Sequence, residues 1–210
     1  APKPEARVSQ TEVIEPEEQP LIEADQALAS GQSARALDIY KTQLELKPEN
    51  KKIQAAARGA LEEIKKKADE ARNQKHYSLA MEGYLLLLNN FDYFSHLIPD
   101  LSFNSTEIEQ YLKECRLENY LARIDQNLKA KKYEQASSLL QEALKAGPGE
   151  PRLKKQIEKL LIELKSSGDR SLSDLDFARA GWYYSLAKKN WSKFKGYTGS
   201  LSFRLEDLDS

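Results

Sequence analysis

From residue 21 onward, apolar residues recur three and four positions apart, the spacing that lines one face of an α-helix. A first short helix is predicted over 21–30, stopping at Gly31. Ser33 is the expected N-cap of a second, which carries Ala36, Leu37, Tyr40 and Leu44 on one stripe and ends at Pro48, a residue that cannot continue a helix. A long helix is predicted over 51–74, with Ile53, Ala57, Ala60, Leu61, Ile64, Ala68 and Ala71 inward. Another is predicted over 77–89, through Ala80, Tyr84, Leu87 and Leu88. The second half repeats the plan, with helices expected over 107–130, 133–146, 151–173 and 176–190. Each half is expected to close in an irregular aromatic stretch, 91–103 and 191–203.

The repetition is gapless. Asp25, Gln26 and Leu28 return 100 residues later as Asp125, Gln126 and Leu128, and Ala36 and Pro48 return as Ala136 and Pro148. Ala80, Tyr84, Leu86 and Asn90 match Ala180, Tyr184, Leu186 and Asn190. Leu101, Ser102 and Phe103 match Leu201, Ser202 and Phe203. Each copy of such a repeat must bury its apolar face on its neighbour, so the period sets the architecture ahead of local propensity. The expectation is an all-α fold, an α-solenoid of about four helical hairpins arranged as two copies of a two-hairpin module. Residues 21–103 form the first module, 104–203 the second, and 204–210 a tail. Residues 1–20, rich in Pro and Glu, bury too little apolar surface to offset ordering entropy and are expected to be a flexible leader. A leader of this composition suits a removed signal or anchor, hence an extracytoplasmic, envelope-associated setting over a cytoplasmic one.

The hairpins resemble the tetratricopeptide repeat family over roughly residues 17–190. The resemblance is carried by Ala24, Gly31, Ala36, Tyr40 and Pro48 in the first hairpin and by Ala68, Tyr77, Ala80 and Tyr84 in the second. Tyr133, Ala136, Ala143 and Pro148 carry it in the third, and Gly168, Phe177, Ala180, Tyr184 and Ala187 in the fourth. Small residues where two helices cross, with an aromatic beside them, are what close helix packing requires. The early aromatic of the first helix is missing except at Tyr120, and Ile124 replaces a small residue. Ala36, Ala80, Ala136 and Ala180 are separated by 44, 56 and 44 residues, which departs from a uniform 34-residue array.

Composition narrows the function. The net charge of −1 argues against a nucleic-acid binder, which relies on a basic excess. No apolar run approaches the roughly 20 residues that cross a bilayer, so no transmembrane segment is expected. Cys115 is the only cysteine and is expected to be an inert, partly buried thiol. His76 and His96 stand in no metal-ligand spacing, and no catalytic or phosphate-cradling motif is present, so neither enzyme activity, cofactor nor metal is expected. The tripeptides beginning at Asn104 and Asn190 fit a glycosylation pattern short enough to arise by chance.

Two groups of residues remain as candidates for partner binding. Asp25, Asp69, Asp125 and Asp169 share one register, and the family resemblance implies that this register faces a concave groove. There, with Leu28, Leu128 and Arg72, they would hold a protein or peptide segment bearing basic residues. The competing expectation is local pairing, such as Asp69 with Arg72 or Asp169 with Lys165. The second group is aromatic: Phe91, Tyr93, Phe94 and Phe103, echoed by Trp191, Phe194, Tyr197 and Phe203. Aromatics anchor interfaces, and they equally cap the ends of a solenoid. The resulting expectation is a non-catalytic interaction adaptor or scaffold in a cell-envelope assembly. The alternative is a self-associating structural subunit that docks through its aromatic C-terminal segment.

Overall fold

The computed structural model describes residues 19–98 and 100–208. The leader expected over 1–20 therefore lies, up to residue 18, outside the described residues. Among the described residues the chain is all-helical, without a strand, and folds as an α-solenoid of helical hairpins. The helices are α1 (Gln19–Ala29), α2 (Ser33–Leu46), α3 (Lys51–Asn73), α4 (Tyr77–Leu97), α5 (Ser105–Lys129), α6 (Tyr133–Ala146), α7 (Pro151–Ser173) and α8 (Phe177–Lys193). Two 3-10 turns, Lys195–Tyr197 and Leu205–Leu208, follow α8. No described helix is long and apolar enough to cross a membrane.

The duplication reappears in the backbone. Helices α2 and α6 cover 33–46 and 133–146, α3 and α7 cover 51–73 and 151–173, and α4 and α8 start at 77 and 177. The chain forms two compact units, one up to Leu112 and one from Lys113, so α5 begins in the first and ends in the second. In unit 1, α1 packs on α2, α2 on α3 and α3 on α4; in unit 2, α6 packs on α7 and α7 on α8. Leu37, Tyr40, Leu44, Leu61, Leu87 and Phe94 are fully buried in unit 1. Ile124, Leu128, Leu140, Leu161, Leu164 and Phe194 fill the core of unit 2.

Each hairpin closes through the same backbone motif. Gly31, Lys75, Lys131 and Leu175 all have positive φ, between 57° and 80°. The amide after each reaches back to the last full helical turn: Gln32 to Ala27, His76 to Ala71 and Lys132 to Asn127 at 2.8 Å, and Asp176 to Ser171 at 2.9 Å. These bonds, with the one from the left-handed residue itself, form a Schellman motif that satisfies carbonyls otherwise left open at a helix end. Only Gly31 has the residue type this conformation favours. Leu175 is the costly case, since it holds φ at 59° with its side chain 72% exposed.

Three expectations change at helix ends. Gln32, not Ser33, is the N-cap of α2, and it makes no side-chain cap bond; Ser33 is already helical. The stretch 91–103 is helical up to Leu97, because Phe91 and Phe94 extend the stripe of Leu87 at four and seven positions. Likewise α8 runs on to Lys193. Side-chain caps do occur elsewhere. Asn50 accepts from the Lys52 and Ile53 amides at the start of α3, and Glu150 precedes Pro151 at the start of α7. Asn104 accepts from the Glu107 amide at 2.9 Å.

Candidate functional site

Asp25, Asp69 and Asp169 of the shared register bond to a tyrosine within their own hairpins. The hydroxyl of Tyr40 donates to Asp25 at 2.5 Å, that of Tyr84 to Asp69 at 2.5 Å, and that of Tyr184 to Asp169 at 2.8 Å. In each case the tyrosine lies 15 residues downstream, on the second helix of the pair, so the bond fastens the first helix to the second. Burial, reinforced by the neighbouring carboxylate, pushes the Tyr184 phenol up to about 12 and raises that of Tyr40 as well. Burial would raise the Asp169 carboxyl, but the bonds from Lys165 and Tyr184 outweigh it and hold it low.

Asp125 has Leu140 where the others have tyrosine. Its carboxylate instead takes Lys129 and Lys159, each at 2.7 Å, and these bonds lower its pKa. Around Asp69 the network is larger. Lys65 bridges Asp69 at 2.9 Å and Glu107 at 3.3 Å, and the Arg72 guanidinium lies 3.9 Å from the centre of the Tyr111 ring. Tyr111 in turn packs 5.7 Å from Tyr84. Leu28 is half-buried, and Leu128 is part of the unit 2 core.

The aromatic stretches fold back on their own units. Phe94 and Phe103 are buried, and Phe91 packs 6.1 Å from Phe103. Tyr93 stands edge-on to Phe94 and donates its hydroxyl to the Lys41 carbonyl at 3.1 Å. In unit 2, Phe194 is buried, while Trp191, Tyr197 and Phe203 are partly buried against the core; Trp191 and Phe203 repeat the pair at 5.5 Å. Asn190 is fully buried, donating to the Leu186 carbonyl and accepting from Ser137. Cys115 is buried as well.

An open concavity lies in unit 1, and none of the aspartates lines it. It is a groove of about 530 Å3 between the α1–α2 turn and the α3–α4 hairpin. Small residues make it: Gly31, Ser33 and Ala34 on one side, Ala68, Ala71 and Gly83 on the other, with Ile64, Leu79 and Leu86 adding apolar surface. Gly83 is required where the helices cross, because a Cβ there would come within 2.8 Å of the Ala68 Cβ. Lys67, Glu70, Gln74 and Glu82 complete the lining. Lys67 is bridged to Glu63 at 3.5 Å, whereas Glu70 and Glu82 take no ion pair among the described residues.

Unit 2 fills the corresponding space with its own side chains. Tyr133 stands where Ser33 does, Tyr183 where Gly83 does, and Trp182 where Glu82 does. Tyr133 and Tyr183 are 3% and 8% exposed and meet edge-to-face at 6.1 Å, and Trp182 stacks edge-on to Tyr183 at 5.0 Å. A shallow cleft of about 160 Å3 remains beside Lys131, Tyr133, Glu134 and Trp182. The crossing glycine changes sides too. Gly168 replaces Ala68, and a Cβ on it would sit 2.6 Å from Tyr184 Cε1. Hydrophobic periodicity does not single out the groove residues; aligning the halves at their period does, since Ser33 and Gly83 then face tyrosines and Glu82 faces a tryptophan. Among the described residues no cluster of potential ligands could hold a metal ion. No family model matches the chain, and no curated protein is significantly similar to it.

Proposed function

We propose that this chain is a non-catalytic interaction adaptor of the tetratricopeptide kind, which holds a segment of a partner protein in the unit 1 groove. The observation that carries this reading is the contrast between the two copies of one scaffold. One keeps an apolar-floored groove of about 530 Å3 open, within the roughly 300–1,000 Å3 typical of ligand-holding clefts, and the other fills that place itself. Asp25 and Asp69 help to fix the unit 1 hairpins that frame the groove, through their bonds to Tyr40 and Tyr84. The aromatic stretches act as caps that seal each unit.

Affinity capture of the full chain from its native host, beside the variant Ser33→Tyr, tests the reading. A partner held by the wild type and lost with Ser33→Tyr is the expected result; equal capture by both sinks it. The variant places in unit 1 the residue that unit 2 already has, so its fold is expected to survive. An extracytoplasmic, envelope-associated setting belongs to the same proposal and rests on the composition of residues 1–20; fractionation of the host checks it.

A self-associating structural subunit is the second reading, favoured by the α7–α8 turn. Leu172, Leu175 and Phe177 are 37%, 72% and 66% exposed there, an apolar tip without counterpart at the Lys75 and Lys131 turns. Sedimentation at rising concentration separates the two: a monomer favours the adaptor, and dimers or chains favour the subunit.

A further inference from the structure

Resting on the groove reading above, we propose that the partner segment enters unit 1 with an aromatic side chain that has a cationic group beside it. The internal duplicate is the template for this occupant. With α2, α3 and α4 matching α6, α7 and α8 in register, the residues that differ mark what the groove lacks. Tyr133 and Tyr183 supply two phenol rings in unit 2, where Ser33 and Gly83 supply none in unit 1. Unit 2 also places a hydroxyl there, with Tyr133 Oη 3.4 Å from Ser167 Oγ; Lys67 holds that position in unit 1. An aromatic ring matches such a space because it brings a large rigid apolar face at little cost in rotamer entropy, with a polar edge for the rim.

The charge at the rim selects what accompanies the ring. Unit 2 has Arg170 and Trp182 at the two positions where unit 1 has Glu70 and Glu82. Lys67 is bridged to Glu63 at 3.5 Å, so the groove sets the two carboxylates of Glu70 and Glu82 against one lysine that already has an acidic partner. A cation on the incoming segment is therefore attracted, and an anion repelled. Exposed charges such as these contribute up to about 1 kcal/mol each, equivalent to about fivefold in affinity. The ring supplies most of the binding, and the cation supplies selectivity.

Side-chain fragments test this on the full chain, with backbone amide resonances followed by 15N NMR. The probes are p-cresol, tyramine, 4-hydroxyphenylacetate and 3-methylbutylamine. Tyramine is expected to move the amides of Gly31, Ala34, Ala71 and Gly83. It should bind about 3–5-fold more tightly than p-cresol, with 4-hydroxyphenylacetate weakest. Ser33→Tyr should abolish all these shifts. If that variant folds poorly, the paired change Ala68→Gly with Gly83→Tyr rebuilds the unit 2 crossing and should do the same. Glu70→Gln with Glu82→Gln should erase the charge order and leave p-cresol binding in place. Binding of 3-methylbutylamine as tight as that of tyramine would overturn the aromatic assignment while leaving the groove reading intact. Amides unmoved by every probe, or moved equally in both filled variants, would overturn both. Concentration-dependent movement of the same amides in the protein alone would make the occupant a second copy of this chain and overturn a separate partner.

Discussion

Units 1 and 2 solve one packing problem in two ways. Both bring two helices together at the same crossing, and both remove a Cβ to do it, but from opposite members of the pair. In unit 1 the glycine is Gly83 on α4, against Ala68 of α3; in unit 2 it is Gly168 on α7, against the Tyr184 ring. Moving the glycine to α7 leaves position 183 with a side chain, and a tyrosine there closes over the space beside Tyr133. Unit 2 thereby fills this place with its own side chains. Unit 1 keeps the same frame with the filling removed, and an intact frame around an unfilled space is what a binding groove requires. The comparison also explains the acidic rim. Residues that stack on tyrosine in unit 2 have no such task in unit 1, so Glu82 stands where Trp182 covers the ring.

The strongest way to break the contrast is to open unit 2. Tyr183→Ala should cost about 3 kcal/mol of stability, because it removes a nearly buried aromatic and leaves a cavity. Urea denaturation measures the loss, and p-cresol should restore part of the melting temperature. The bonds that fasten the hairpins come next. Tyr84→Phe and Tyr184→Phe should each cost about 2 kcal/mol, since each removes a hydroxyl bonded to a carboxylate. Leu140, at the equivalent place in the third hairpin, has no such bond to lose, so Leu140→Met should cost under about 1.5 kcal/mol.

Burial together with the same bonds sets the pH response. The Tyr184 phenol has a folded value of about 12 against an ordinary 10.0. A raised value stabilises the fold fully below pH 10, and that contribution is lost as pH rises from about 10 through 12. Tyr184→Phe should therefore flatten the alkaline limb of a stability–pH curve. Asp125 behaves with the opposite sign. Its depressed value contributes stability above its ordinary 3.8, lost as pH falls below it, so Asp125→Asn should flatten the acid limb.

Smaller effects distinguish the turns. Leu175→Gly should raise stability by about 0.5–1 kcal/mol, because it relieves the positive φ at 59°, and Lys131→Gly should match it. At Gly31 the relief is already present, so Gly31→Ala should cost a similar amount. If Leu175→Gly also abolishes a concentration-dependent species, the apolar tip is an interface between copies.

Much of the fold was legible from one dimension. Apolar spacing marked every helix, and the period predicted where α6, α7 and α8 would copy α2, α3 and α4, because burying a stripe forces a helix to form along it. Helix ends were less legible. Lys75, Lys131 and Leu175 take a conformation that their side chains disfavour, since closing a hairpin satisfies carbonyls worth more than the local strain. The aspartate register was visible, as was the local Asp169–Lys165 pair, but the tyrosine partners were not: Tyr40, Tyr84 and Tyr184 meet the register only once two helices are paired. What the chain alone determined is the helical repeat, its period and the residue types at each register, all consequences of local spacing. What only the tertiary structure decided is which carboxylates are already bonded and which small residues leave a space. Both depend on side chains distant in sequence meeting, or failing to meet, across a helix crossing.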